Sequence, residues 1–111
     1  MLKKILGCFF GLSSLAFACP SALPISDPGF CESFHVAAEC YCTSSGLPRK
    51  MCNNMTLLYQ RMIGMFGSLE NACHFQPNTS YQECMDDWLC YRFGGQNSQG
   101  ELCSGTGNAC E

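Results

Sequence analysis

Few residues of this chain are β-branched, and no stretch alternates polar and apolar side chains with a period of two. An all-β disulfide fold relies on both, so that class is not expected. Basic charge is scarce as well: six Lys and Arg stand against nine Asp and Glu. Without a basic cluster, binding to nucleic acid or to anionic membrane surfaces is not expected. No Cys-x-x-Cys pair occurs, so no zinc or iron–sulfur site is expected and no cofactor is implied. There is no internal repeat, no long linker and no apolar run of the roughly 20 residues that a membrane span requires.

What the chain has in excess is cysteine, eleven in 111 residues. Cys8 lies in a segment with the pattern of an export signal. Lys3 and Lys4 form a positive start, Ile5 to Phe17 an apolar stretch, and Ala16-Phe17-Ala18 a small-x-small cleavage site. Cleavage between Ala18 and Cys19 is expected, and the compact Lys-Lys signal suggests a bacterial source. A lipoprotein, with Cys19 lipidated, is the less favoured alternative. Ala16 and bulky Phe17 suit that processing poorly, and it would leave an odd number of thiols.

Removal of residues 1–18 leaves ten cysteines: Cys19, Cys31, Cys40, Cys42, Cys52, Cys73, Cys84, Cys90, Cys103 and Cys110. All ten are assigned to five disulfides of an exported, secreted or periplasmic domain. The remaining chain keeps Arg49, Lys50, Arg61 and Arg92 against nine carboxylates, a formal charge of −5. A domain spanning 19–111 buries only a thin core, and each bridge adds about 2–4 kcal/mol, so structure alone accounts for the cysteines.

The expected fold is mainly α: about three helices with an irregular C-terminal tail tethered by disulfides. The first helix is placed at about 28–42, with Asp27 as N-cap, Pro28 in the first turn and Glu32 near the positive end of the dipole. The second is placed at about 48–72, because Met51, Met55, Leu58, Met62, Met65 and Leu69 share one line for six turns. Gly64 and Gly67 lie on its polar side and mark a bend or a close approach. The third, about 81–93, opens with the capping box Ser80-Tyr81-Gln82-Glu83 and ends at Gly94-Gly95. The tail 94–111 is Gly-, Ser- and Asn-rich, and Cys103 and Cys110 should bind it to the body. Spacing leaves the pairing open among 945 possibilities. Hairpin geometry favours Cys52 with Cys40 or Cys42, and Cys73 with Cys84.

Catalytic signals are weak. His35 has Glu39 four residues later, a pair able to act as a base, but a partly buried histidine packed beside a disulfide is the favoured explanation. His74 has no better claim, and Asp86-Asp87 reads as a solvated helix edge. No catalytic residue is assigned. The distinctive feature is methionine: Met51, Met55, Met62 and Met65 share one face, which is read first as plain core, with a candidate apolar binding face bounded by Trp88 as the alternative.

Ala38-Glu39-Cys40-Tyr41-Cys42-Thr43, with Cys31 upstream and Cys52 downstream, resembles the Cys-x-Cys core of fungal CFEM domains. That resemblance implies a helical, disulfide-stapled ligand binder. It covers about a fifth of the chain, and the other cysteine spacings depart from the pattern. Cys42-x9-Cys52 and Cys73-x10-Cys84 also resemble a twin Cx9C hairpin, although Gly46 and Pro48 interrupt the first segment. Neither resemblance carries a functional residue across.

The functional expectation is a small exported effector that acts by binding an extracellular or host protein, without catalysis. A carrier of lipid or another apolar ligand is the alternative, and a small secreted hydrolase using His35 a minor one. Asn54-Met55-Thr56 and Asn78-Thr79-Ser80 would accept glycans only in a eukaryotic secretory pathway.

Overall fold

The computed structural model describes residues 19–111, and the export-signal reading of residues 1–18 lies outside the described residues. The described chain is mainly helical and carries five disulfides. Helix α1 spans Phe30–Ser44, α2 Arg49–Cys52, α3 Met55–Phe66, α4 Leu69–His74 and α5 Tyr81–Phe93; a single 3-10 turn follows at Cys103–Gly105. Among the described residues no helix is long and apolar enough to cross a membrane.

The first helix begins two residues later than the placement of Asp27 as N-cap. Gly29 occupies the cap, and Asp27 instead accepts the Gly29 amide at 2.7 Å in a turn that precedes the helix. Its side chain thus satisfies a turn amide rather than one of the helix's own free donors. Downstream, α1 continues through Ser44 before Gly46, at φ 91°, reverses the chain.

The expected six-turn helix at 48–72 is three helices. Pro48 is extended, at ψ 141°, and caps α2 rather than entering it. The Asn54 side chain accepts the Leu57 amide at 3.1 Å, which starts a new helix after one residue of extended backbone. At the far end Gly67 takes the left-handed conformation, φ 87°, and Ser68 caps α4 by accepting the Asn71 amide. A left-handed glycine followed by an N-cap serine is a stop and a start in succession. The apolar spacing survives both interruptions, so periodicity alone reads through them.

Helix α5 starts where Ser80 accepts the Glu83 amide at 3.1 Å, and stops at Gly94, φ 73°. The tail then returns along the body. Cys103 is bonded to Cys90 and Cys110 to Cys31, while the Cys110 amide donates to the Tyr91 carbonyl and Ser104 to that of Ile25. The other bridges are Cys19–Cys40, Cys42–Cys52 and Cys73–Cys84. The last two are short hairpin closures, separated by 10 and 11 residues.

One cluster forms the core. Phe30 is wholly buried, and Phe34, Met55, Leu58, Leu69, Trp88 and Tyr91 join it with the half-cystines Cys52, Cys73, Cys90 and Cys103. Sulfur thus fills much of the interior that a chain of this size cannot supply with larger side chains.

Candidate functional site

Three helices leave a groove between them. Phe34, Ala37 and Tyr41 from α1 form one side, Leu58, Met62 and Met65 from α3 the opposite one, and Trp88 with Asp87 from α5 the end. The arm at 20–22 and the segment 75–79 complete the rim, and the groove, open to solvent on one side, has a volume of about 550 Å³. That lies within the range of small-molecule sites. A second depression over α5 and the tail, with Tyr81, Met85 and Leu89, is smaller at about 340 Å³.

Each part is held by local chemistry already described. Cys19–Cys40 holds the arm beside α1, and Cys73–Cys84 ties the 75–79 segment to α5. Trp88 is fixed by aromatic contacts: edge-on to Phe34 at 4.9 Å and tilted against Tyr59 at 5.5 Å. Tyr59 in turn lies under the Arg92 guanidinium, 4.9 Å from the ring centroid. Arg92 also donates to Glu111 at 2.9 Å and to Thr56 at 3.1 Å, joining tail, α3 and α5. The walls of the groove are therefore pinned both covalently and by packed rings.

The methionine face divides. Met55 is buried in the core and Met51 packs half-buried against it, and neither lines the groove. Met62, Met65 and Trp88 do line it, Met65 with 63% of its surface exposed. Phe66 stacks on Phe75 at 5.4 Å on the same rim, and Phe75 is 69% exposed. Phe75 carried no periodic signal in the sequence, because it follows the last residue of α4.

Asp87 is the feature that sequence reading assigned wrongly. It is half-buried in the groove rather than solvated at a helix edge, and no donor among the described residues reaches its carboxylate. Burial, then the charges of Glu83 and Asp86, pushes its pKa up from the ordinary carboxylate value to about 7. Its neighbour Asp86 accepts from Gln82 at 3.0 Å instead. The available signal was Glu83 and Asp87 four apart, on one helix face beside the only tryptophan.

The histidines take other roles. His35 meets the Asn53 carbonyl through Nε2 at 3.0 Å, which makes that nitrogen a donor, and it forms no ion pair with Glu39. His74 stacks on Tyr81 at 4.2 Å. Among the described residues no group of three or more His, Cys, Asp or Glu is placed to hold a metal.

The class defined by this fold and groove is a five-disulfide helical protein with a mainly apolar cleft that contains a carboxylate without a partner among the described residues. The chain matches no family model, no curated protein and no solved structure.

Proposed function

We propose that this is an exported protein of an oxidising compartment, secreted or periplasmic, that works by binding an apolar ligand in the groove. Five disulfides support the compartment, since such bridges persist where thiols are not kept reduced. The export pattern at residues 1–18 points the same way. The observation that carries the binding reading is the groove itself: about 550 Å³, with Met62, Met65 and Trp88 on its surface. Methionines adapt to irregular apolar shapes, which suits a carrier.

A second reading, a bacterial effector whose groove receives an apolar side chain of an extracellular or host protein, draws support from the rim. Phe75 and Met65 stand out from it by 69% and 63% of their surfaces. The hydrolase alternative gains nothing from His35, which donates through Nε2 to the Asn53 carbonyl and does not line the groove.

The test uses the single tryptophan. Trp88 fluorescence of the oxidised protein is followed during titration with dodecanol, for the native chain and for Met65→Lys. Saturable quenching or a spectral shift that Met65→Lys weakens about tenfold or more, with the melting temperature unchanged, is the expected result. Absence of a saturable response, or one indifferent to Met65, overturns the reading.

A further inference from the structure

The groove is lined mainly by apolar side chains, with Ser, Gln, Asn and Thr residues on its rim and two carboxylates, Glu83 and Asp87, on α5. Asp87 stands there half-buried, and no donor among the described residues reaches it. Four other carboxylates have partners: Asp27 takes the Gly29 amide, Asp86 takes Gln82, Glu101 takes Asn97 and Glu111 takes Arg92. Of those without a partner among the described residues, Glu32, Glu70 and Glu83 are exposed, and half-buried Glu39 does not line the groove. A carboxylate taken from water without a partner is costly, and the cost is removed when a cation with N–H donors arrives.

We propose that the occupant of the groove is an apolar molecule bearing one protonated amine, its nitrogen seated on Asp87 and its hydrocarbon laid along Met62, Met65 and Phe75. The inference rests on the ligand-binding reading above and names the ligand's chemistry.

Charge complementarity selects this occupant over its rivals. Glu83, one turn before Asp87, lines the same wall, and Asp86 adds its field from the adjoining position. Arg61 on α3 is the one basic side chain lining the groove, and it is exposed. Tyr41 on α1 is the remaining ionisable group there; the arm at 20–22 and the 75–79 segment bring none. An anionic head would face two groove carboxylates against a single solvated guanidinium. A neutral alcohol would leave Asp87 without a charged partner. An ammonium group supplies up to three donors and a matching charge.

The same geometry makes the preference depend on pH. Asp87, its pKa raised to about 7 by burial and by Glu83 and Asp86, ionises near neutral pH. An amine is attracted above that pH and loses its partner below it, as the carboxyl takes up a proton. Binding the cation also stabilises the ionised form, which moves the loss to lower pH in the complex.

The experiment compares three probes of equal chain length: dodecylamine, dodecanol and dodecanoate, each kept below its aggregation threshold. Binding to the oxidised protein is read by Trp88 fluorescence and by calorimetry. At about pH 8 dodecylamine should bind about tenfold or more tighter than dodecanol, and dodecanoate no tighter than dodecanol. Asp87→Asn should erase the amine's advantage while leaving dodecanol affinity and melting temperature at or above native values. Glu83→Gln should reduce the advantage less, through the loss of a more exposed charge. Lowering the pH to about 5 should shrink it in the native protein and not in Asp87→Asn.

Equal affinity for amine and alcohol overturns the inference and leaves the apolar groove standing. Tightest binding of dodecanoate overturns it in favour of an anion-selective site at Arg61. Failure of all three probes to bind overturns the ligand-binding reading itself.

Discussion

The ring of Phe34 meets that of Trp88 edge-on, with centroids 4.9 Å apart, and both rings belong at once to the core and to the groove. Groove and core are therefore not separate layers: the floor of the cleft is the outer surface of the packed interior. Substitutions at the floor should unfold the protein, and those at the rim should not. Phe34→Ala should lower stability by about 3–5 kcal/mol in denaturant melts. Met65→Ser, at an exposed rim position, should change it by less than about 0.5 kcal/mol. Comparable losses for the two would mean that the rim is also core.

Asp87 should destabilise the protein at neutral pH. Its folded pKa, about 7, lies above the unfolded carboxylate value. Between those two values the folded state binds the extra proton, so stability rises as pH falls from 7 toward 4 and is flat in this respect above 7. Asp87→Asn lacks this contribution. Its melting temperature should exceed the native one by about 5 °C near pH 8, and the difference should vanish near pH 4. Thermal melts of both proteins across that range check it.

The bridges should differ in weight. Cys31–Cys110 spans 79 residues and Cys42–Cys52 spans 10. Restriction of the unfolded chain alone assigns about 4.5 kcal/mol to the first and about 2.7 to the second, each taken singly. Paired Cys→Ser variants, compared by chemical denaturation, should rank in that order. The reverse order would mean that the tail contributes little to the fold.

Gly94 is required where it stands. Its φ is 73°, and a methyl group added there would lie 2.6 Å from the Ala109 nitrogen and 2.7 Å from the Gly107 oxygen. Both are backbone atoms of the returning tail, so neither can rotate away. Gly94→Ala should cost about 2 kcal/mol or more and should raise hydrogen exchange at the Cys110 amide, which donates to Tyr91.

Helix α5 and the Cys73–Cys84 bridge were legible in the sequence because local chemistry decides them, whereas spacing left Cys52 open between Cys40 and Cys42. Ser80, Glu83 and Gly94 punctuate the helix, and Cys42–Cys52 and Cys73–Cys84 close short turns. The interruptions at Asn54 and at Gly67-Ser68 were not, because the apolar register continues across them and the cap function of Asn54 is set by one side-chain hydrogen bond. Cys19–Cys40 and Cys31–Cys110 join segments that only tertiary packing brings together. The candidate site was half visible: Met62, Met65 and Trp88 belong to it, whereas Asp87 looked solvated. Its burial depends on the groove walls supplied by α1, α3 and the 75–79 segment, which no pattern within α5 encodes.

The central claim is that the groove between α1, α3 and α5 is where this protein binds. Photolabelling of the oxidised protein with an alkyl diazirine amine, followed by peptide mapping, tests it most directly. Saturable adducts should concentrate on Met62, Met65 and Phe75 and should be competed away by dodecylamine. Adducts scattered over the surface, or gathered at Met85 and Leu89 in the second depression, would contradict it.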